Sequence, residues 1–286
     1  MDAMNSAEIL TRTAPPPDRT IRYGPGPDNI ADVRLPSGGG PSGPLSGSGR
    51  PLVVVLHGGF WRAAFDRTHT GPMAAALAAE GYLVCVPEFR RVGQAGGGWP
   101  GTFDDVAAAV DRLPGLVAAS APDACDPGRL LLAGHSAGGQ LALWAAGRHL
   151  LPRDARWSAT ADPRPRMAGV VALAPVSDLA ACYRQGLDGG AADDLLGGGP
   201  EQFPQRYAVA DPARLIPLGV SVRIIHGTAD DRVPCEMSRS YAASARAAGD
   251  DTLLTELPGG GHFDVIDPLS AAWPTVLAAL RSLVAR

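Results

Sequence analysis

Gly134-His135-Ser136-Ala137-Gly138 sets a serine between glycines where the apolar run 130–133 gives way to an Ala/Leu-rich stretch ending at Ala146. A serine hydroxyl is a weak nucleophile until a base takes its proton, and that base needs an acid to orient it. Both partners stand further along the chain. His262 lies in the glycine-rich "GGGHFDVID", and Asp230 in "HGTADDRVP". The adjacent Asp231 and the later Asp264 are rival acids. Only one carboxylate of the "ADD" pair can face His262, and loop spacing favours Asp230. Asp264, two residues after the base, reads as a loop-capping or solvated side chain.

Acyl transfer also places negative charge on a carbonyl oxygen, and preorganised backbone N–H groups stabilise it by about 3–4 kcal/mol per critical donor. His57-Gly58-Gly59-Phe60-Trp61 follows the apolar run 52–56. Its glycines let the backbone approach the serine, so the N–H groups of Gly59 and Phe60, with that of Ala137, are the candidate oxyanion hole. Ala137 opens a helix, whose N-terminus favours developing negative charge. Trp61, Phe89 and Trp99 stand near the same turns and are candidate substrate contacts. His57 and His226 read as structural, His69 and His149 as surface residues. No HExxH occurs, and the 6 histidines are spread along the chain, so neither metal nor other cofactor is expected.

A nucleophile held at so tight a turn needs a strand before it and a helix after it. The chain supplies that rhythm repeatedly from Pro51 onward. Continuous apolar segments at 52–56, 82–87, 129–134, 167–175, 221–227 and 252–259 alternate with helical patterns, and 269–286 closes the series as a helix. Buried strands alternating with helices imply a mostly parallel sheet covered on both faces. In such sheets the site lies beyond the carboxyl ends of the strands, where Ser136, Asp230, His262 and the 57–61 segment all fall. The segment from Thr20 to Pro36 reads as an antiparallel hairpin around a Gly/Pro/Asp turn. Residues 1–19 are expected to be disordered, 20–286 to form a single α/β domain, and the Gly/Ser/Pro-rich 37–50 to be a flexible loop. The long, breaker-rich 176–219 is expected to form a small lid.

Composition narrows the function. A net charge of −4 argues against nucleic-acid or anionic-membrane partners, and hydrophobic content of 45% supports a sizeable core. No signal peptide or membrane-length apolar run is read. The 4 cysteines lack CxxC spacing, which suits idle thiols in a reducing cytoplasm. The expectation is a cytoplasmic enzyme acting on a small molecule.

The motifs "HGGFW", "GHSAGG", "HGTADDRVP" and "GHFDVID" together resemble the α/β-hydrolase fold superfamily, in its branch with HGG-type oxyanion loops. The chain order Ser136, Asp230, His262 and the G-x-S-x-G elbow match that superfamily. "HGGFW" is similar to the HGGxW signature of kynurenine formamidases, a resemblance that implies hydrolysis of N-formylkynurenine to kynurenine and formate. It carries the nucleophile onto Ser136, the acid onto Asp230 and the base onto His262. "VPEFRRVG" departs from the "DYRLAP"-like segment common in such enzymes. Generic carboxylesterases and prolyl-oligopeptidase-like peptidases share the remaining motifs. A non-catalytic binder on the same fold is the reading from another class, although such a protein would be expected to lose the serine or the histidine.

Overall fold

The computed structural model describes residues 6–37, 51–121, 126–159 and 166–284. Eight strands form one sheet: β1 (Arg19–Arg22), β2 (Ile30–Arg34), β3 (Pro51–Leu56), β4 (Leu83–Pro87), β5 (Asp126–His135), β6 (Arg166–Leu173), β7 (Val222–Gly227) and β8 (Thr252–Leu257). Their spatial order is β1-β2-β4-β3-β5-β6-β7-β8. The hairpin pairs β1 with β2 and β2 with β4 antiparallel, and every later pairing is parallel. This is the α/β-hydrolase fold.

Alternation along the strands sorts the core into two layers. Leu52, Val54 and Leu56 of β3 pack with α2 (Gly101–Ser120), α3 (Ala137–Gly147) and α7 (Cys235–Ala247). Val53 and Val55 pack on the other face with α1 (Gly71–Ala79) and α8 (Trp273–Val284). Because both faces are covered, β3, β4 and β7 are buried along their whole lengths. That is why β3 and β4 read as unbroken apolar runs rather than alternating ones, whereas β7 also buries Arg223 and His226. Each fully buried Val or Leu contributes about 1.5–3 kcal/mol.

The expectation of disorder over 1–19 needs correction for its described part. Residues Ser6–Leu10 form a 3-10 turn whose Ile9 is fully buried beside Met73 and Leu77. Arg12 is paired with Asp267, and the Arg34 guanidinium donates to the carbonyls of Pro15 (2.6 Å) and Pro16 (3.2 Å). One apolar anchor and two arginine clamps outweigh a composition that is otherwise polar and proline-bearing. Residues 1–5 and 38–50, which hold most of the expected flexible loop, lie outside the described residues.

Between β6 and β7 the 176–219 segment folds into α4 (Leu179–Arg184), α5 (Ala191–Leu196) and α6 (Pro204–Ala210). Its Leu179, Cys182, Leu195, Leu196 and Tyr207 are fully buried and continuous with the α2/α3 core. Hydrogen bonds tie it down on several sides. The Trp144 indole donates to the Val209 carbonyl (2.8 Å), the Trp99 amide to Leu195 (2.8 Å), and Arg62 bridges to Asp188 and Asp194. Asp211 is buried and accepts from the amides of Leu179 (3.0 Å), Ala180 (3.3 Å) and Ala213 (3.2 Å), clamping the start of α4 to the end of α6.

Burial, with the neighbouring Asp178 charge, pushes the Asp211 carboxyl up to about 6 despite those amide bonds. An acid raised in the folded state favours folding most below its unfolded value, about 3.9, and that contribution is lost as pH rises through about 6. The change amounts to roughly 3 kcal/mol at most. Asp211→Asn should therefore gain on wild type as pH rises from about 4 to about 7. Urea unfolding of both proteins across that range measures it, and a pH-independent difference would refute the assignment.

Candidate active site

Strand β5 turns into α3 through Ser136, which holds φ 55° and ψ −120°. A non-glycine residue at such a backbone costs of order 1–3 kcal/mol and persists only where its surroundings enforce it. Here the end of β6 does so: the Ser136 amide donates to Leu173 (2.8 Å), and the Ser136 carbonyl accepts from Val176 (3.1 Å). The flanking glycines are required by contact. A Cβ on Gly134 would stand 2.1 Å from the Gly138 carbonyl oxygen, and one on Gly138 would stand 2.1 Å from that of Leu56. Ala137 is the first residue of α3, so its amide is among those with no partner inside the helix.

The loops after β7 and β8 bring Asp230 and His262 together. His262 Nδ1 donates to Asp230 Oδ2 at 2.6 Å, which leaves Nε2 as the ring nitrogen able to take a proton. The other Asp230 oxygen accepts from the amides of Arg232 and Val233, both at 2.8 Å. His226 Nε2 lies 3.1 Å from Oδ2. Burial works to raise the Asp230 pKa, but the bonds from His226 and His262 outweigh it and hold the carboxylate far below its usual range. The rivals separate clearly. The Asp230 side chain is 0% exposed, whereas that of Asp231 is 78% exposed and faces Arg232. Asp264 accepts from the Gly261 amide (2.7 Å), capping the histidine loop. His135, beside Ser136, donates through Nε2 to the His262 carbonyl (3.0 Å), and burial keeps its ring neutral.

The 57–66 loop packs onto the elbow from the other side. A Cβ on Gly58 would be 3.2 Å from Ser136 Cβ, so the loop passes directly over the serine. Gly59, Phe60 and Trp61 follow with φ of 110°, 48° and 58°. Two such non-glycine residues in succession need external support, and Glu88 at the end of β4 supplies much of it. Its buried carboxylate accepts from His57 Nε2 (3.0 Å) and from the amides of Arg67 and Phe89 (both 3.0 Å), with Arg91 at 3.3 Å. Burial pulls the Glu88 pKa up, but these bonds and charges leave it below the ordinary value. Glu88 was not singled out in the sequence. The signal was present in "VPEFRRVG", where an acid directly after a buried strand replaces the usual segment.

The three aromatic candidates do not all reach the site. Trp61 is buried and its indole donates to Gln140 Oε1 (3.0 Å), while Phe89 is buried against the His57 ring at 4.3 Å. Both are packing residues, which corrects their assignment as substrate contacts. Trp99 is half-buried and packs edge-on to Trp157 at 4.8 Å, so its position too is explained by the α2/α3 aromatic cluster. His69 is buried rather than on the surface, and desolvation pushes it down to about 4. Among the described residues no group of His, Cys, Asp and Glu is placed to hold a metal, and no helix is long and apolar enough to cross a membrane.

Comparison with known proteins agrees with this geometry. Residues 44–244 match the BD-FAE family, so the chain belongs to that family. Isoprenylcysteine α-carbonyl methylesterase ICME of Arabidopsis thaliana is 25% identical over 266 residues, covering 88% of this chain and 58% of that protein. The chain thus spans little more than half the length of that curated relative. Among solved structures, a truncated carbohydrate esterase from gut microbiota superposes with a TM-score of 0.75 at 18% identity, covering 96% of this chain and 100% of that one. Esterase B from Lactobacillus rhamnosis gives 0.76 at 19% identity, with 98% and 90% covered. Propionate-bound Est2 of Thermogutta terrifontis gives 0.69 at 20%, with 93% of each chain covered. These likenesses establish a shared fold.

The Glu88 network makes a stability prediction. Glu88→Ala strands His57, Arg91 and two amides in a buried setting and should lower stability by about 3–5 kcal/mol. Glu88→Gln can still accept from the Arg67 and Phe89 amides and should lose clearly less. Equal losses in urea titrations would mean that volume, not hydrogen bonding, is what Glu88 supplies.

Proposed function

We propose that the chain is a serine carboxylesterase that cleaves a small ester through an acyl-enzyme. Ser136 Oγ attacks the ester carbonyl while His262 Nε2 takes its proton. Asp230 stabilises the imidazolium, and the amides of Gly59, Phe60 and Ala137 receive the charge on the carbonyl oxygen. The imidazolium returns the proton to the departing alkoxide, and water repeats the sequence on the acyl-serine. The observation that carries this reading is the 2.6 Å bond from His262 to the fully buried side chain of Asp230, together with a serine strained to φ 55° at the turn into α3. Membership of the BD-FAE family and the methylesterase and esterase relatives support the ester as substrate class. In this reading 176–219 acts as a fixed roof over the site, because its apolar residues belong to the core.

A second reading, arylformamidase activity on N-formylkynurenine, rests on the "HGGFW" match. Amide cleavage asks more of His262, which must protonate a leaving nitrogen. A formyl group offers little to bind, so recognition would fall to an aryl pocket. The Trp61 indole is held by Gln140, so the signature tryptophan has a structural use that favours neither substrate.

Ser136→Ala should lower kcat/KM for p-nitrophenyl acetate on the order of 10⁴-fold, and a serine-directed phosphonate should label wild type alone. Asp230→Asn should be nearly as severe, whereas Asp231→Asn should stay within about twofold of wild type. Labelling that persists in Ser136→Ala would defeat the assignment of Ser136 as nucleophile, and a wild type that is neither labelled nor active would leave the non-catalytic binder. Substrate class is decided by assaying p-nitrophenyl acetate, p-nitrophenyl butyrate and N-formylkynurenine together. The ester reading expects rates that follow acyl-chain fit with negligible formate release. A kcat/KM for N-formylkynurenine above both esters, after correction for intrinsic reactivity, would move the assignment to arylformamidase.

A further inference from the structure

We propose that His226 and Ser238 are positioning residues for the triad acid, fixing the plane of the Asp230 carboxylate so that Oδ2 faces His262. The inference rests on the esterase reading and extends it to two side chains that touch neither substrate nor the reacting serine. His226 is the penultimate residue of β7, and Ser238 lies in the first turns of α7. Both are fully buried.

The wiring of the pair fixes its direction. His226 Nε2 is 2.9 Å from the Val233 carbonyl and 3.1 Å from Asp230 Oδ2. Both atoms are acceptors, so Nε2 carries a hydrogen shared between them. His226 Nδ1 is 2.7 Å from Ser238 Oγ, and in the neutral ring it accepts from that hydroxyl. The result is a continuous buried line: Ser238 O–H to His226 Nδ1, His226 Nε2 bonded to Val233 and 3.1 Å from Asp230 Oδ2, and His262 N–H to the same carboxylate oxygen.

Its use follows from what else holds Asp230. The amides of Arg232 and Val233 both bond Oδ1. Two donors on one oxygen leave the carboxylate able to rock about that oxygen, which would swing Oδ2 away from His262. A donor on Oδ2 other than His262 supplies the missing fixed point. His226 provides it from a β-strand, and Ser238 holds the ring from a helix packed on that strand. The line also resembles a second Ser-His-Asp set sharing Asp230, but it cannot act as one. Ser238 is enclosed within the α7/β7 interface, and His226 meets its serine through Nδ1 and the acid through Nε2, the reverse of the site's own wiring.

The test separates positioning from mere packing. His226→Leu should lower kcat for p-nitrophenyl acetate roughly 10-fold with KM within about twofold. His226→Gln, which returns an N–H near the Nε2 position, should recover most of the loss. In an Asp230→Asn background the His226→Leu change should cost nothing further, because its effect passes through that carboxylate. The downfield proton resonance of His262 Nδ1–H should shift or broaden in His226→Leu and return in His226→Gln. Should His226→Leu fail to fold, Ser238→Ala decides the matter, with kcat expected to fall roughly threefold and KM to hold. An unchanged kcat in the folded variant, or an equal further loss on the Asp230→Asn background, overturns the proposal. If wild type neither hydrolyses the ester nor reacts with the phosphonate, the esterase reading fails instead, and the proton resonance still reports whether His226 orders the Asp230–His262 bond.

Discussion

The close approach of three backbones at the end of the sheet is the constraint on which the rest of the site depends. The elbow after β5, the loop after β3 and the start of α3 come so near that side chains at Gly134 or Gly138 would overlap carbonyl oxygens at 2.1 Å. With those glycines in place, the Ser136 backbone can hold its left-handed conformation, α3 can start directly at Ala137, and the 57–61 loop can cross over the serine. Each consequence serves the chemistry. The turn sets the Ser136 side chain at the strand end, buried beneath the 57–61 loop, and Ala137 at the helix start keeps an amide with no partner inside the helix. A single added methyl group would separate the parts by more than hydrogen-bond geometry tolerates.

Around this junction the protein buries two carboxylates and treats them alike. Glu88 stands under the 57–61 loop and meets His57, Asp230 meets His262 and His226, and each carboxylate accepts from two backbone amides. In both cases desolvation pulls the carboxyl pKa up, and the bonds and neighbouring charges outweigh it and leave the pKa below the ordinary value. The uses differ. Asp230 faces a histidine that has a free nitrogen for chemistry, whereas Glu88 faces one whose other nitrogen is engaged by the Gly58 carbonyl. His57 is thereby fixed, and what it fixes is the loop that carries Gly59 and Phe60.

What could be read from the sequence follows from how local each feature is. The parallel strands were legible because burial on both faces leaves mostly apolar runs, and the strand-end positions of Ser136, Asp230 and His262 because each falls in a turn that glycines mark. The N-terminal hairpin was legible from its turn residues, and β1 and β2 pair there. The ordered part of the N-terminal segment was not, because its anchors reach distant partners: Ile9 packs against α1, and Arg12 meets Asp267. Trp61 and Phe89 misled for a related reason. An aromatic residue near a strand end is equally suited to a pocket or to a core, and only the third dimension shows an indole donating to Gln140 or a ring lying on His57.

Gln140 shows why that indole matters although it is buried. Its Oε1 accepts from Trp61, and its Nε2 donates to the Ala210 carbonyl at the end of α6 (3.0 Å). Its own backbone belongs to α3, one turn beyond the nucleophile. One amide side chain therefore joins the oxyanion loop, the elbow helix and the roof formed by 176–219. An amide can serve all three because it donates at one end and accepts at the other. Buried as it is, each end must be satisfied. The 176–219 segment is thus tied through this bridge to the 57–61 loop and to the helix that follows Ser136.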